Sequence, residues 1–102
     1  MKFFVPLGMA LAALCAGGAA HAQLDPLQVR SWAAGCTSCH GTNGRAQPGM
    51  PALAGTSKEE TLKKLLEFKA GKRPATIMHQ LSKGYSDEQL SAIAAWFAAQ
   101  KP

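Results

Sequence analysis

An all-α fold is what this sequence predicts, and three observations predict it. Apolar residues recur at helical spacing in three separate stretches. Each stretch is preceded by a residue suited to capping a helix, namely Asp25, Ser57 and Ser86. Alternating runs of β-branched residues, internal repeats and low-complexity segments do not occur in the 102 residues, so a sheet is not expected. The expected architecture is one small domain in which the N- and C-terminal helices pack together and a loop-rich section lies between them.

The chain opens on a segment that reads as an export signal. Lys2 supplies positive charge, Phe3 to Cys15 is mostly apolar, and Ala20-His21-Ala22 forms a small-residue cleavage site. Cleavage after Ala22 is expected, giving a signal peptide over 1–22 and a domain over 23–102. A lipidated Cys15 is the competing reading, and bulky Leu14 just before it argues against it. No other segment approaches the roughly 20 apolar residues that a membrane span requires, so a soluble periplasmic protein is expected.

Within the domain, Asp25 and Pro26 read as an N-cap and a first helical position. Val29, Trp32, Ala33 and Cys36 then recur at helical spacing, which predicts a first helix to about Cys39. From Gly41 to Gly55 the chain carries four glycines, two prolines, Asn43 and Gln47, a composition that predicts an irregular loop. Ser57 with Glu60 forms a capping-box pattern that opens a second helix, with Thr61, Leu65 and Phe68 on one stripe and Gly71 at its end. Lys72-Arg73-Pro74 breaks the periodicity before a short apolar turn around Ile77, Met78 and Leu81. Ser86 and Gln89 make another capping box, and Leu90, Ile93, Ala94 and Phe97 predict a last helix to about Gln100.

The formal net charge of +5 is basic but ordinary. Nucleic acid is not an expected partner, because the chain reads as exported and lacks a basic cluster interleaved with aromatics. A domain this small supplies only a few kcal/mol from its own apolar core, so a staple or cofactor is expected. Beyond the leader two cysteines remain, Cys36 and Cys39.

Those cysteines belong to Cys36-Thr37-Ser38-Cys39-His40, the C-x-x-C-H pattern of covalent haem attachment. On a helical turn, residues i, i+3 and i+4 project to one side, so two thiols and one imidazole can face one macrocycle. Both cysteines are expected to form thioethers to it and His40 to bind iron, its second ring nitrogen needing an acceptor. A thioredoxin-like disulfide requires a βαβ setting that the pattern does not provide. A zinc site lacks its second pair of ligands. Haem is therefore the expected cofactor, one per chain.

Met50, Met78 and His79 are the candidates for the sixth iron ligand. Met50 follows His40 so closely that the loop must wrap the ring edge quickly, whereas Met78 lies far enough along to cross the haem and return. Met78 is favoured, and the metal ligands expected are His40 and Met78. A thioether opposite an imidazole favours ferrous iron and closes the metal to small molecules, which points to outer-sphere electron transfer. A ligand sensor or peroxidase-like enzyme, with an open iron position, is the less favoured class.

Taken together, these residues resemble the class I c-type cytochromes from Trp32 to Gln100. Pro51-Ala52-Leu53-Ala54-Gly55 is similar to that family's Pro-x-Leu-x-Gly segment. The resemblance implies the small cytochrome c fold around one covalent haem. It also implies that the Pro51 carbonyl accepts a hydrogen bond from His40 and that Leu53 packs against the ring. Ala33 or Gly35 crossing Trp96 or Phe97 is implied as the contact between terminal helices.

The segments Phe68 to Met78 and Lys83 to Glu88 resemble, more narrowly, the cytochrome subunit of flavocytochrome c sulfide dehydrogenases. That likeness implies a single-haem version whose redox partner is a sulfide-oxidising flavoprotein on a separate chain, with no catalytic residue assigned here. It also supports Met78 as the axial ligand. A free electron carrier remains the alternative. Arg45, Arg73, Tyr85 and Trp32 are candidates for binding the haem propionates, and Lys58, Lys63, Lys64, Lys69, Lys72 and Lys83 for a rim that steers acidic partners.

Overall fold

The computed structural model describes residues 24–102, and every regular element among them is helical. The expected signal peptide at 1–22, with Cys15 and the cleavage site, lies outside the described residues. Four α-helices follow one another: α1 Pro26–His40, α2 Lys58–Lys69, α3 Met78–Lys83 and α4 Asp87–Ala98, with a 3-10 turn at Thr42–Gly44 after α1. No helix among the described residues is long and apolar enough to cross a membrane.

Three of the four helix starts, those of α1, α2 and α4, have a local cause. The Asp25 carboxylate accepts from the Leu27 N–H at 3.0 Å, and Pro26 occupies the first turn, where no amide hydrogen is needed. At α4 the expected capping box forms in full. Ser86 Oγ accepts from the Gln89 N–H at 3.1 Å, and Gln89 Oε1 accepts from the Ser86 N–H at 2.8 Å. At α2 only half of the expected box forms: Ser57 Oγ accepts from the Glu60 N–H at 3.3 Å but donates to Glu59 Oε2 at 3.2 Å. The Glu60 side chain does not return to the Ser57 N–H, so the reciprocal bond of the box is missing. Helix α2 ends in a Schellman motif, with Lys72 N–H bonded to the Glu67 carbonyl and Gly71 N–H to that of Phe68.

The core is narrow and belongs to the terminal helices. Leu90, Ile93, Ala94 and Phe97 are the buried residues of α4, as their spacing predicted, and Val29 and Ala33 are those of α1. Ala33, Ile93 and Phe97 form the fully buried contact, with Trp32, Cys36, Leu53, Tyr85 and Trp96 packed around it. Of the pairs implied by resemblance, Ala33 with Phe97 is the one that closes the crossing, while Gly35 is exposed. Trp96 meets Phe97 edge to face at 5.0 Å between ring centroids.

The short apolar turn expected around Ile77 to Leu81 is a helix of its own, which Met78 opens. Helix α3 packs on α2, and α2 on α4. Its burial runs against its composition, since Ile77 and Leu81 are about half exposed while Ser82 is its one buried residue.

Candidate haem-attachment site

The site begins on the buried stripe of α1. Val29, Ala33 and Cys36 continue one face of the helix, so the face that grips α4 runs directly into the first thiol. Cys39 and His40 follow at one further turn, Cys39 exposed and His40 half-buried in the last helical position. Between the two thiols, Thr37 Oγ1 donates to the Ala34 carbonyl at 2.7 Å and Ser38 Oγ to that of Gly35 at 3.1 Å. These bonds satisfy both intervening side chains on their own helix. Burial, and then the neighbouring Cys39, push the Cys36 thiol above its ordinary pKa.

His40 is oriented from outside its helix. Its Nδ1 lies 2.7 Å from the Pro51 carbonyl oxygen. A carbonyl can only accept, so Nδ1 carries the proton, and in the neutral ring the lone pair is on Nε2. An imidazole with one nitrogen fixed in this way is a pre-oriented metal donor through the other. Two thiols one helical turn apart and this imidazole beside them are the donor set that covalent haem requires, and the residues present fit that group.

The loop that delivers Pro51 is built on Gly44. The Gly44 carbonyl accepts from both Leu53 N–H at 2.7 Å and Ala54 N–H at 2.9 Å, and Gly55 N–H donates to the Phe97 carbonyl at 2.9 Å. Gly44 itself is buried with φ +77°, and a Cβ there would stand 2.6 Å from Phe97 Cδ1. Only glycine allows the loop this close to α4. Leu53 is half-buried against the Ala33–Ile93–Phe97 cluster, on which Cys36 also packs.

The other expected site residues lie elsewhere. Met78 is half-buried at the start of α3, His79 half-buried next to it, and Met50 exposed in the loop; none of the three belongs to the cluster that gathers Cys36 and Leu53. Of the propionate candidates, Trp32 and Tyr85 pack on that cluster. Arg45 instead donates through Nε to the Lys101 carbonyl at 3.3 Å, and Arg73 lies 3.5 Å from Glu67 and over the Phe68 ring. Both arginines thus have uses within the fold. The lysines fall mainly along α2, where Lys69 pairs with Asp87 at 2.8 Å and Lys63 with Glu67 at 4.0 Å.

Two residues of consequence were not singled out from sequence. Gly44 is one of four glycines in its loop and nothing local marks it. Ser82 is 1 % exposed and its Oγ has no hydrogen-bond partner, a condition that costs about 1–3 kcal/mol.

An all-helical domain whose first helix ends in two thiols and an oriented imidazole defines the class of covalent haem proteins. The chain belongs to the cytochrome c family, whose model matches residues 29–101. A domain of this family has covalently bound haem c as its cofactor and serves electron transfer. It is 41% identical over 85 residues to a cytochrome c4 of Pseudomonas aeruginosa, covering 82% of this chain and 42% of that one. It is 39% identical over 62 residues to the cytochrome subunit of sulfide dehydrogenase of Chlorobaculum tepidum, covering 61% and 56%. A thiosulfate dehydrogenase electron acceptor of Stutzerimonas stutzeri is 38% identical over 66 residues, covering 63% and 31%. The chain spans about half the length of the curated relatives it matches.

Proposed function

We propose that this chain passes single electrons in the periplasm, after removal of a signal peptide over 1–22, as the cytochrome subunit that accepts electrons from a sulfide-oxidising flavoprotein. Cys36 and Cys39 hold the haem by thioethers, and His40 and Met78 ligate its iron. Haem iron supplies the one-electron ferric–ferrous couple. The protein's part is to hold and orient. The stripe of α1 anchors both thiols, Pro51 fixes the imidazole tautomer, and Leu53 offers an apolar surface on the same cluster as Cys36.

One observation carries this reading: His40 Nδ1 is held at 2.7 Å by the Pro51 carbonyl, which directs Nε2 to a metal. The dehydrogenase partnership is supported by the name of the Chlorobaculum relative and by the motif likeness around Met78. A free carrier is the second reading. It is favoured by the higher identity to a cytochrome c4, whose name carries no dehydrogenase.

Two measurements test the proposal. Met78→Ala is expected to abolish the weak methionine-to-iron band of the oxidised protein and to lower its potential; a band that survives there and disappears in Met50→Ala reverses the ligand assignment. Purification from the native host is expected to bring down a flavoprotein with the cytochrome. Consistent elution of the cytochrome alone would establish the free carrier instead.

A further inference from the structure

The charges of the domain are unevenly divided, and the division follows two hollows along α2 and α4. One, of about 490 Å³, is lined by apolar Leu24, Ala92 and Ala95 and by charged Lys58, Asp87 and Glu88. The other, of about 700 Å³, is lined by apolar Leu62, Leu66 and Ala70, with Lys63, Lys69 and Lys72 opposed by Glu59 and Glu67. Asp87 borders both, so the two hollows make one continuous face. Its apolar residues are left partly open to water: Leu24 is 41% exposed, and Leu62, Leu66, Ala92 and Ala95 are half-buried.

On this face four lysines stand against four carboxylates, so it is locally neutral in a chain of net charge +5. The rest of the described residues are one-sided, with Arg30, Arg45, Lys64, Arg73, Lys83 and Lys101 against Asp25 and Glu60. Two copies of a basic chain repel each other at any patch that carries the excess. A contact in which the same patch serves both partners instead requires both signs in equal measure on that patch. The α2–α4 face meets this condition and the remainder of the domain does not.

Two charges on the face are still available. Lys69 pairs with Asp87 at 2.8 Å and Lys63 with Glu67 at 4.0 Å within one chain. Lys58 and Glu88 border the same hollow, yet neither has an ion-pair partner among the described residues. We infer that the α2–α4 face is an interface for a second copy of this chain, with Lys58 of each copy meeting Glu88 of the other across a two-fold axis. Leu24, Leu62, Leu66, Ala92 and Ala95 supply the apolar area that such a contact buries. None of Cys36, Cys39, His40 and Met78 lines either hollow, so pairing does not use the residues of the haem site. The basic remainder of the surface stays free for acidic redox partners.

The test is sedimentation of the mature protein with its haem attached, followed at the haem absorbance, with Lys58→Glu and Glu88→Lys made singly. The parent is expected to sediment as a dimer at low ionic strength and to dissociate as salt is added. Each variant sets two like-charge contacts across the axis and is expected to weaken self-association about tenfold. An equimolar mixture of the two variants is expected to recover the dimer, because every one of those contacts then joins opposite signs. Recovery on mixing does not depend on the stability of either variant alone, so it reads the interface itself.

A parent that sediments as a monomer even at millimolar concentration overturns the inference, as do variants that self-associate as the parent does or a mixture no better than its components. Loss of a copurifying flavoprotein in Lys58→Glu or Glu88→Lys, with no dimer in the parent, overturns it too and gives this face to that subunit. All of these forms keep the residues that hold the haem, so the outcome is independent of the ligand assignment.

Discussion

Gly44 is where the fold holds the haem-side loop against α4, and replacing it by alanine separates two costs that usually arrive together. The first is conformational: Gly44 has φ +77°, where an L-residue is disfavoured by about 1–2 kcal/mol. Part of this, about 0.4–1 kcal/mol, is offset because alanine restricts the unfolded chain. The second is steric. The new Cβ would meet Phe97 Cδ1 at 2.6 Å, Phe97 Cε1 at 2.8 Å and Leu53 Cβ at 3.0 Å, so buried groups must move. Overpacking of that kind costs about 1–3 kcal/mol. Gly44→Ala is thus expected to destabilise by about 2–4 kcal/mol. Gly49→Ala is the control, because Gly49 has φ +82° and nothing within 4 Å of its added carbon, so only the backbone term, about 1 kcal/mol after the offset, applies. Denaturant unfolding of both variants, with the haem attached, gives the steric cost by difference. Equal destabilisation in the two would refute the close approach of Gly44 to Phe97.

Two further outcomes follow from the helix starts. Ser86→Ala removes the hydroxyl that accepts the Gln89 N–H and is expected to cost about 1 kcal/mol in the same unfolding assay; a change within error would mean that the Gln89 side chain alone suffices. At α2, hydrogen bonds from the Glu59 backbone N–H and then from Ser57 hold the Glu59 carboxyl below its ordinary value near 4.5. A depressed folded-state pKa gives stability that is present above the unfolded value and is lost as pH falls through the folded one. Glu59→Gln is therefore expected to lower stability at pH 7 and to converge on the parent in more acidic solution, and a pH-independent difference would contradict that assignment.

What could be read from sequence divides by the range of the interaction that sets it. Helix α4 was legible because its capping box and its stripe of Leu90, Ile93, Ala94 and Phe97 are written within one segment. The five residues from Cys36 to His40 were legible for the same reason. The separate identity of α3 was not, since Ile77 in its N-cap position makes no side-chain cap bond and nothing local announces a start. Arg45 offered a charge suited to a propionate, but its partner is the carbonyl of Lys101, near the opposite end of the domain. At α2 the pattern specified the cap on the Glu60 N–H but not the use of the hydroxyl's own proton, which goes to the neighbouring Glu59 carboxylate and leaves the box half made.

The same division runs through the site. The two thiols are placed by the register of α1 alone, and a single helical turn suffices to bring them together. The orientation of His40 is not local. It depends on the Pro51 carbonyl, which is set by two bonds to the Gly44 carbonyl, by the fit of Gly44 against Phe97, and by the Gly55 bond to the Phe97 carbonyl. Every one of these contacts beyond the first leads to α4 or to the loop that α4 holds. Attachment and orientation are therefore separable: loosening α4 frees the imidazole from its acceptor while the thiol positions on α1 persist. A domain whose buried apolar core is as small as Ala33, Ile93 and Phe97 with their neighbours has little packing with which to hold a large group by contacts alone. On the proposed assignment, fixing that group to the most local element, and using long-range contacts only to aim one ligand, would let the domain keep its cofactor through fluctuations of the rest of the fold.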